Sequence, residues 1–197
     1  MTPEIGDLVA ELFYTDQGQR RLFNGVRPLP VAVLPKAMGW VDVKGRHQRG
    51  SQGQSLKNED EARAIVDFMD RLRHNTTTSL DVAVITPYRA QVDFVRKVLR
   101  QRGAMLDVQQ GMVWGHLRLK VNTVDSFQGS EADVVCYSIV RSSGSLQFLL
   151  DKKRLNVACS RARAHLYIFG SADFVAGYQD EKNENILAQL LARLPRV

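Results

Sequence analysis

Hydrophobic residues along this chain follow two rhythms, one with the period of a helix and one of short alternating or unbroken runs. Ile5, Leu8, Val9 and Leu12 share one helical face, so residues 4–14 read as a short amphipathic helix. A polar turn follows, and residues 31–34 form a brief apolar run of strand character. Residues 44–54 are rich in Gly, Gln, Ser and Arg without any period, which predicts an exposed loop reaching to residue 57. Asn58 is positioned to cap the next helix, where Ala62, Ile65, Val66, Met69 and Leu72 line one face. Residues 81–85 read as a buried strand that stops at Thr86-Pro87, and Val92, Val95, Val98 and Leu99 then mark a helix with a basic outer face. Residues 117–124 alternate as a half-buried strand does, residues 134–140 are β-prone almost throughout, and residues 166–169 repeat that character. Helices are predicted around residues 155–162 and over 182–197, where Ile186, Leu187, Leu190, Leu191 and Leu194 recur.

Strands without polar alternation need cover on both faces, and the helices between them can supply it. The pattern predicts a single α/β domain over residues 1–197, with a three-layer α/β/α build around a mostly parallel sheet. Its 197 residues are enough for one well-buried core. An apolar share of 44% and a charged share of 24% argue against a disordered or fibrous chain. A formal charge of +6 points mildly to a polyanionic partner. No apolar stretch approaches the roughly 20 residues of a membrane span, and Glu4 and Asp7 stand where a secretory leader has its basic residues. A cytoplasmic protein without membrane contact is the expectation. Cys136 and Cys159 lie in apolar surroundings without metal-site spacing, so neither a disulfide nor a zinc site is expected.

In an open α/β sheet, ligands gather in the loops at strand ends. Three such segments carry unusual chemistry. In Thr86-Pro87-Tyr88-Arg89-Ala90-Gln91, proline ends a strand while Arg and Gln open the next helix, although an ordinary strand-to-helix turn would also read this way. Residues 122–133 crowd hydroxyls, an amide, a glycine and carboxylates between two apolar strands, a costly placement unless those groups find partners. Gly129 would let a ligand approach the backbone and Glu131 could accept from sugar hydroxyls, with a capped turn as the plainer alternative. In residues 154–163, Arg154 and Arg161 stand two helical turns apart just before a buried strand, where a planar charged fork can meet phosphate oxygens.

In this order and spacing the three segments resemble the C-terminal RecA-like domain of superfamily 1 helicases, in the 1B branch of the nonsense-mediated-decay helicase. Residues 86–91 resemble its T-P-Y-x-x-Q segment, residues 124–133 its motif V (V-D-x-F-Q-G-x-E-x-D), and residues 154–163 its motif VI (R-L-N-V-A-x-T/S-R-A-R). The resemblance covers residues 1–171 and implies a RecA-like fold of the P-loop NTPase class. It implies that Arg161 is an arginine finger for the ATP γ-phosphate with Arg163 in support, and that Gln128, Gly129 and Glu131 face the nucleotide. It places Thr86, Pro87, Tyr88, Arg89, Thr123 and Ser126 along single-stranded DNA or RNA, held through backbone and sugar with little sequence preference.

The chain has no G-x-x-x-x-G-K-[ST], so the phosphate cradle of such enzymes is absent from it. Asp60-Glu61-Ala62 imitates the magnesium-binding D-E-A box, yet it follows polar Ser55-Leu56-Lys57-Asn58 and not an apolar strand. Met1-Thr2-Pro3 resembles the tail of the family's motif IV, Q-Y-R-M-x-P, as if cut after its arginine. The expectation is half of an ATP- and Mg²⁺-dependent helicase, inactive alone and completed by an N-terminal P-loop RecA-like domain of the same protein. A stand-alone, non-catalytic nucleic-acid-binding or interaction domain is the alternative.

Overall fold

Seven strands form the central sheet, in the spatial order β3-β11-β10-β6-β9-β8-β7. They belong to a computed structural model that describes residues 1–22, 33–50, 53, 55–107, 111–127, 130–179 and 184–197. In chain order the described elements begin with α1 (Pro3–Phe13), the small ribbon β1 (Thr15–Asp16) and β2 (Gln19–Arg20), and β3 (Met38–Asp42). The hairpin β4 (His47–Arg49) and β5 (Leu56–Asn58) leads into α2 (Glu59–Asn75), β6 (Leu80–Thr86) and α3 (Arg89–Gln101). Then come β7 (Met105–Asp107), β8 (Gly111–Trp114), β9 (Leu117–Thr123) and a 3₁₀ turn, Val124–Phe127. The chain closes with β10 (Ala132–Ser138), α4 (Lys152–Ser160), β11 (Ala162–Gly170), α5 (Ala172–Gly177) and α6 (Ile186–Arg193).

Strands β3, β11, β10, β6 and β9 run parallel, and β8 and β7 continue the sheet antiparallel at one edge. Side chains of the central strands alternate between two cores, as the two-residue period of a strand requires. Ala83, Ile85, Val135, Tyr137, Leu166 and Ile168 join α1, α4, α5 and α6 on one face. Val82, Val84, Val134, Cys136, Tyr167 and Phe169 join α2 and α3 on the other. In β9 the two faces differ: Leu117, Leu119 and Val121 are buried, whereas Lys120 is exposed. This is why residues 117–124 alternate in sequence while residues 134–140 do not.

The start of α2 was legible from its cap, Asn58, whereas the caps of α4 and α6 were not read from the sequence. The Asn58 side chain accepts from the Glu61 amide, Asp151 accepts from the amides of Lys153 and Arg154, and Asn185 accepts from that of Ala188. Several boundaries differ from the sequence expectation. The strand expected at residues 31–34 is replaced, in the described part, by β3 at Met38–Asp42, while Val33 and Leu34 pack half-buried against the core; residues 31 and 32 lie outside the described residues. The expected loop over residues 44–57 carries the β4–β5 hairpin, whose polar residues gave no apolar period to read. The predicted helix at 155–162 begins at Lys152 and ends at Ser160, so Arg161 caps it and Ala162 already belongs to β11.

Candidate nucleotide and nucleic-acid faces

Parallel strands give the sheet two unlike rims, and the residues singled out in the sequence divide between them. Glu131 and Arg161 immediately precede β10 and β11, on the rim where the parallel strands begin. The Ala132 amide donates to the Arg161 carbonyl at 3.0 Å, which holds the two segments side by side. Glu131 is exposed. Arg161 is half-buried, and its guanidinium donates only to nearby oxygens, the Val157 carbonyl at 3.2 Å and Ser160 Oγ at 3.4 Å. Among the described residues no carboxylate pairs with it. Gln128 and Gly129 lie outside the described residues.

Arg163, two residues on, is differently placed. Its guanidinium donates to Asp133 Oδ1 at 3.0 Å and to Asp81 Oδ2 at 2.8 Å. Arg118 Nε donates to Asp81 Oδ1 at 2.7 Å, and the Asp81 amide donates to Asp133 Oδ2 at 2.9 Å. These four residues lie near the starts of β11, β10, β6 and β9, one to a strand, and clamp the rim across four neighbours. The Arg118 hydrogen bond, with Arg163 behind it, holds the Asp81 carboxyl below the usual range. Although burial works against its charge, Arg163 is raised by Asp81 and Asp133. The Thr2 amide donates to the Arg163 carbonyl at 2.8 Å, so the start of the described chain sits on this same rim.

At the other rim, where strands end, Thr86 and Thr123 are direct partners across β6 and β9. Thr86 is fully buried and Tyr88 is 8% exposed, while Pro87 is half-buried and Arg89 lies open beside Asp93 at 3.4 Å. The Tyr88 hydroxyl accepts from Arg141 Nε at 2.9 Å, and its ring packs on Phe148 at 5.7 Å. Arg154 stacks over Phe148 at 4.6 Å and reaches Asp125 at 3.3 Å. It is thus drawn to the strand-end rim, away from Arg161, because α4 runs antiparallel to the strands it connects. Thr123 Oγ1 donates to Ser126 Oγ at 3.0 Å on the exposed shoulder of the 3₁₀ turn.

A buried polar cluster supports this second rim, and sequence reading found only its outline. The Glu61 carboxylate, wholly buried, accepts from Ser138 Oγ at 2.7 Å and the Val140 amide at 2.8 Å. Asn58 Nδ2 donates to the carbonyls of Gly45 and Val140 and to Glu61 itself. Gln91 donates to Ser138 Oγ and the Asn58 carbonyl, and accepts from the Asn58 amide at 2.8 Å. A Cβ at residue 45 would run into Asn58 and Asp60, so this close approach requires glycine. Val140 has a φ of +70°, a conformation that costs a β-branched residue of order 1–3 kcal/mol, and the cluster holds both its amide and its carbonyl. The bend there delivers Arg141 to Tyr88. Asp60-Glu61-Ala62 is therefore no metal box, and among the described residues no cluster of His, Cys, Asp and Glu could hold a metal ion.

A mostly parallel seven-stranded sheet with helices packed on both faces defines a three-layer α/β domain. The sequence profile of the AAA domain family matches residues 1–173, and the chain belongs to that family, as the C-terminal RecA-like domain of a superfamily 1 helicase of the nonsense-mediated-decay branch. It is 30% identical over 194 residues to "Regulator of nonsense transcripts 1" of Dictyostelium discoideum, covering 93% of this chain and 14% of that protein. It is 31% identical over 146 residues to "DNA polymerase alpha-associated DNA helicase A" of Schizosaccharomyces pombe, covering 69% of this chain and 20% of that protein. To "ATP-dependent helicase NAM7" of Saccharomyces cerevisiae it is 29% identical over 180 residues, 87% of this chain and 18% of the other. The chain thus spans no more than about a fifth of these relatives. The C-terminal domain of a possible DNA helicase from Lactobacillus plantarum overlays with a TM-score of 0.44 and 16% identity, covering 71% of this chain and 79% of the other. Among the described residues no helix is long and apolar enough to cross a membrane.

Proposed function

We propose that this chain is the C-terminal half of an ATP-dependent helicase that works in the cytoplasm on single-stranded DNA or RNA, joined to an N-terminal P-loop RecA-like domain. ATP, with its Mg²⁺ and most of its phosphate ligands on that other domain, supplies the free energy of phosphoryl transfer. On the strand-start rim, Arg161 reaches the γ-phosphate across the cleft and Glu131 faces the sugar, and the resemblance assigns Gln128 and Gly129 to the nucleotide as well. On the strand-end rim, Pro87, Arg89, Thr123 and Ser126 touch the nucleic acid. Thr86 and Tyr88, both buried, set the backbone of that platform from beneath.

The observation that carries this reading is the contrast between Arg161 and Arg163. A guanidinium already held by two carboxylates has little left for a phosphate, whereas one held only by a carbonyl and a hydroxyl keeps its charge uncompensated. Arg163 accordingly acts through Asp133, stiffening the start of β10 next to Glu131. The helicase names of the relatives support the same reading.

Arg161→Ala in the protein that joins this chain to its P-loop domain should lower the ATP turnover number by about 10³- to 10⁵-fold, the usual worth of such an arginine. Steady-state ATPase assays with saturating single strands measure it. The 197-residue chain alone should show no ATPase. Normal turnover in the variant would leave the non-catalytic binding domain as the surviving reading.

A further inference from the structure

Between the outer face of α3, the start of α2 and the β4–β5 hairpin runs a groove of about 800 Å³. Five cations line it, Lys57, Arg63, Arg89, Lys97 and Arg102, against the two carboxylates Glu59 and Asp93. Glu59 is engaged by Lys57 at 2.7 Å and by Arg63 at 3.0 Å, Asp93 lies 3.4 Å from Arg89, and just outside the lining Asp60 lies 3.8 Å from Arg63 and Asp67 accepts from Arg102 at 2.8 Å. Lys97 is exposed, and among the described residues no carboxylate pairs with it. The half-buried Phe94 forms an aromatic wall, with Lys57 Nζ 4.7 Å and Arg63 6.0 Å from its ring centre. Of the basic outer face that the α3 sequence presents, Arg89 and Lys97 line this groove, while Arg96 turns instead to the Val121 carbonyl and Asn122 at the end of β9.

We infer that the groove is a second binding site for single-stranded nucleic acid, continuing the path of a strand that leaves the Pro87–Arg89 platform; the inference rests on the helicase reading above. Its occupant is identified by continuity and by charge. Arg89 and Ala90 are at once the first turn of α3 and the mouth of the groove, directly after Pro87 and Tyr88. From there α3 carries cations on its outer side for about 20 Å, at 1.5 Å per residue. A row of cations that exceeds its carboxylates, beside an aromatic face, suits a phosphate backbone with bases free to stack. Because the exposed Arg63 is held by surface ion pairs of small net worth, a phosphate can draw it away at low cost.

The test is fluorescence anisotropy of this chain with labelled oligothymidylates of about 5 and about 15 nucleotides, the shorter spanning the platform alone and the longer reaching the groove. The wild-type chain should hold the longer strand at least tenfold more tightly. The double variant Arg63→Gln/Lys97→Gln, with an unchanged melting temperature, should lose about tenfold for the longer strand and nothing for the shorter. Its log K against log salt slope should flatten by about 1.4, because two fewer phosphates of the single strand are neutralised by the protein. Equal affinity for both lengths, or an unaffected double variant, would overturn the groove and leave the platform standing. Binding of neither strand would overturn both. Displacement of the longer strand by oligoglutamate of equal charge as readily as by unlabelled oligothymidylate would overturn it in favour of an acidic protein partner.

Discussion

Glu61 shows how far a residue's role can lie from its look in sequence. Burial pushes its carboxyl up to about 8, and the hydrogen bonds from Ser138 and Val140 only partly oppose that rise. A folded-state value raised above the unfolded one means that the folded protein binds the extra proton. The associated stability is complete below the unfolded value, near 4.5, and is lost as pH climbs through the folded value. His47 and His165 work the other way: burial, the main cause in each, depresses both, so their contribution is lost as pH falls below the ordinary histidine range. The interval from pH 7 to 8 isolates Glu61. There the unfolding free energy should fall by about 1 kcal/mol, and Glu61→Gln should abolish that fall. Urea titrations at several pH values read both, and a flat wild-type profile would contradict the assignment.

Among elements, α2 is the one whose start is tied most tightly to the strand-end rim. Its cap, Asn58, satisfies an orphan helix amide and at the same time holds Gly45, Glu61 and Val140. Losing a cap alone costs about 1 kcal/mol, and each buried polar partner left unmade adds roughly 1–3. Asn58→Ala should therefore destabilise by at least about 3 kcal/mol, whereas Asp151→Ala on α4, an exposed cap that accepts from the amides of Lys153 and Arg154, should cost about half as much or less. A denaturant midpoint shift of similar size in the two variants would argue against the cluster. The cap itself was plain in the sequence, as were the apolar faces of α2, α3 and α6 and the buried runs of β6, β10 and β11. What was not plain has physical causes: β3 owes its strand to pairing with β11, distant in sequence, and β4 and β5 owe theirs to pairing with each other without an apolar face. His47–Arg49 has no apolar member, so no local period could announce it. The edge strand β7 carries exposed Met105 and Leu106 and likewise gave no alternation. The site was legible as three segments, but not their division between rims, because that depends on strand direction. The resemblance sets Arg161 apart from Arg163, but the ion pairs that separate them, made by Asp81 from β6 and Asp133 from β10, have no local sequence signal.

At the scale of the whole molecule, the strands between the rims set a separation of about 20 Å, from seven residues at about 3.3 Å each. Groups so far apart, with no shared partner, should contribute additively. In the protein carrying both RecA-like domains, Arg161→Lys keeps the charge but loses the planar fork, and should lower the turnover number at least tenfold while leaving nucleic-acid affinity unchanged. Thr123→Ala removes the hydroxyl that donates to Ser126 on the opposite rim. It should raise the single-strand concentration needed for half-maximal ATPase by about threefold to tenfold without changing the ATP KM, the loss expected of one hydrogen bond. The double variant should combine the two effects to within about 0.5 kcal/mol. ATPase titrations in both ligands across the four proteins decide the matter. A larger interaction energy would mean that the sheet transmits strain from rim to rim; additivity would mean that the parallel strands form a stiff body on which the two rims act independently.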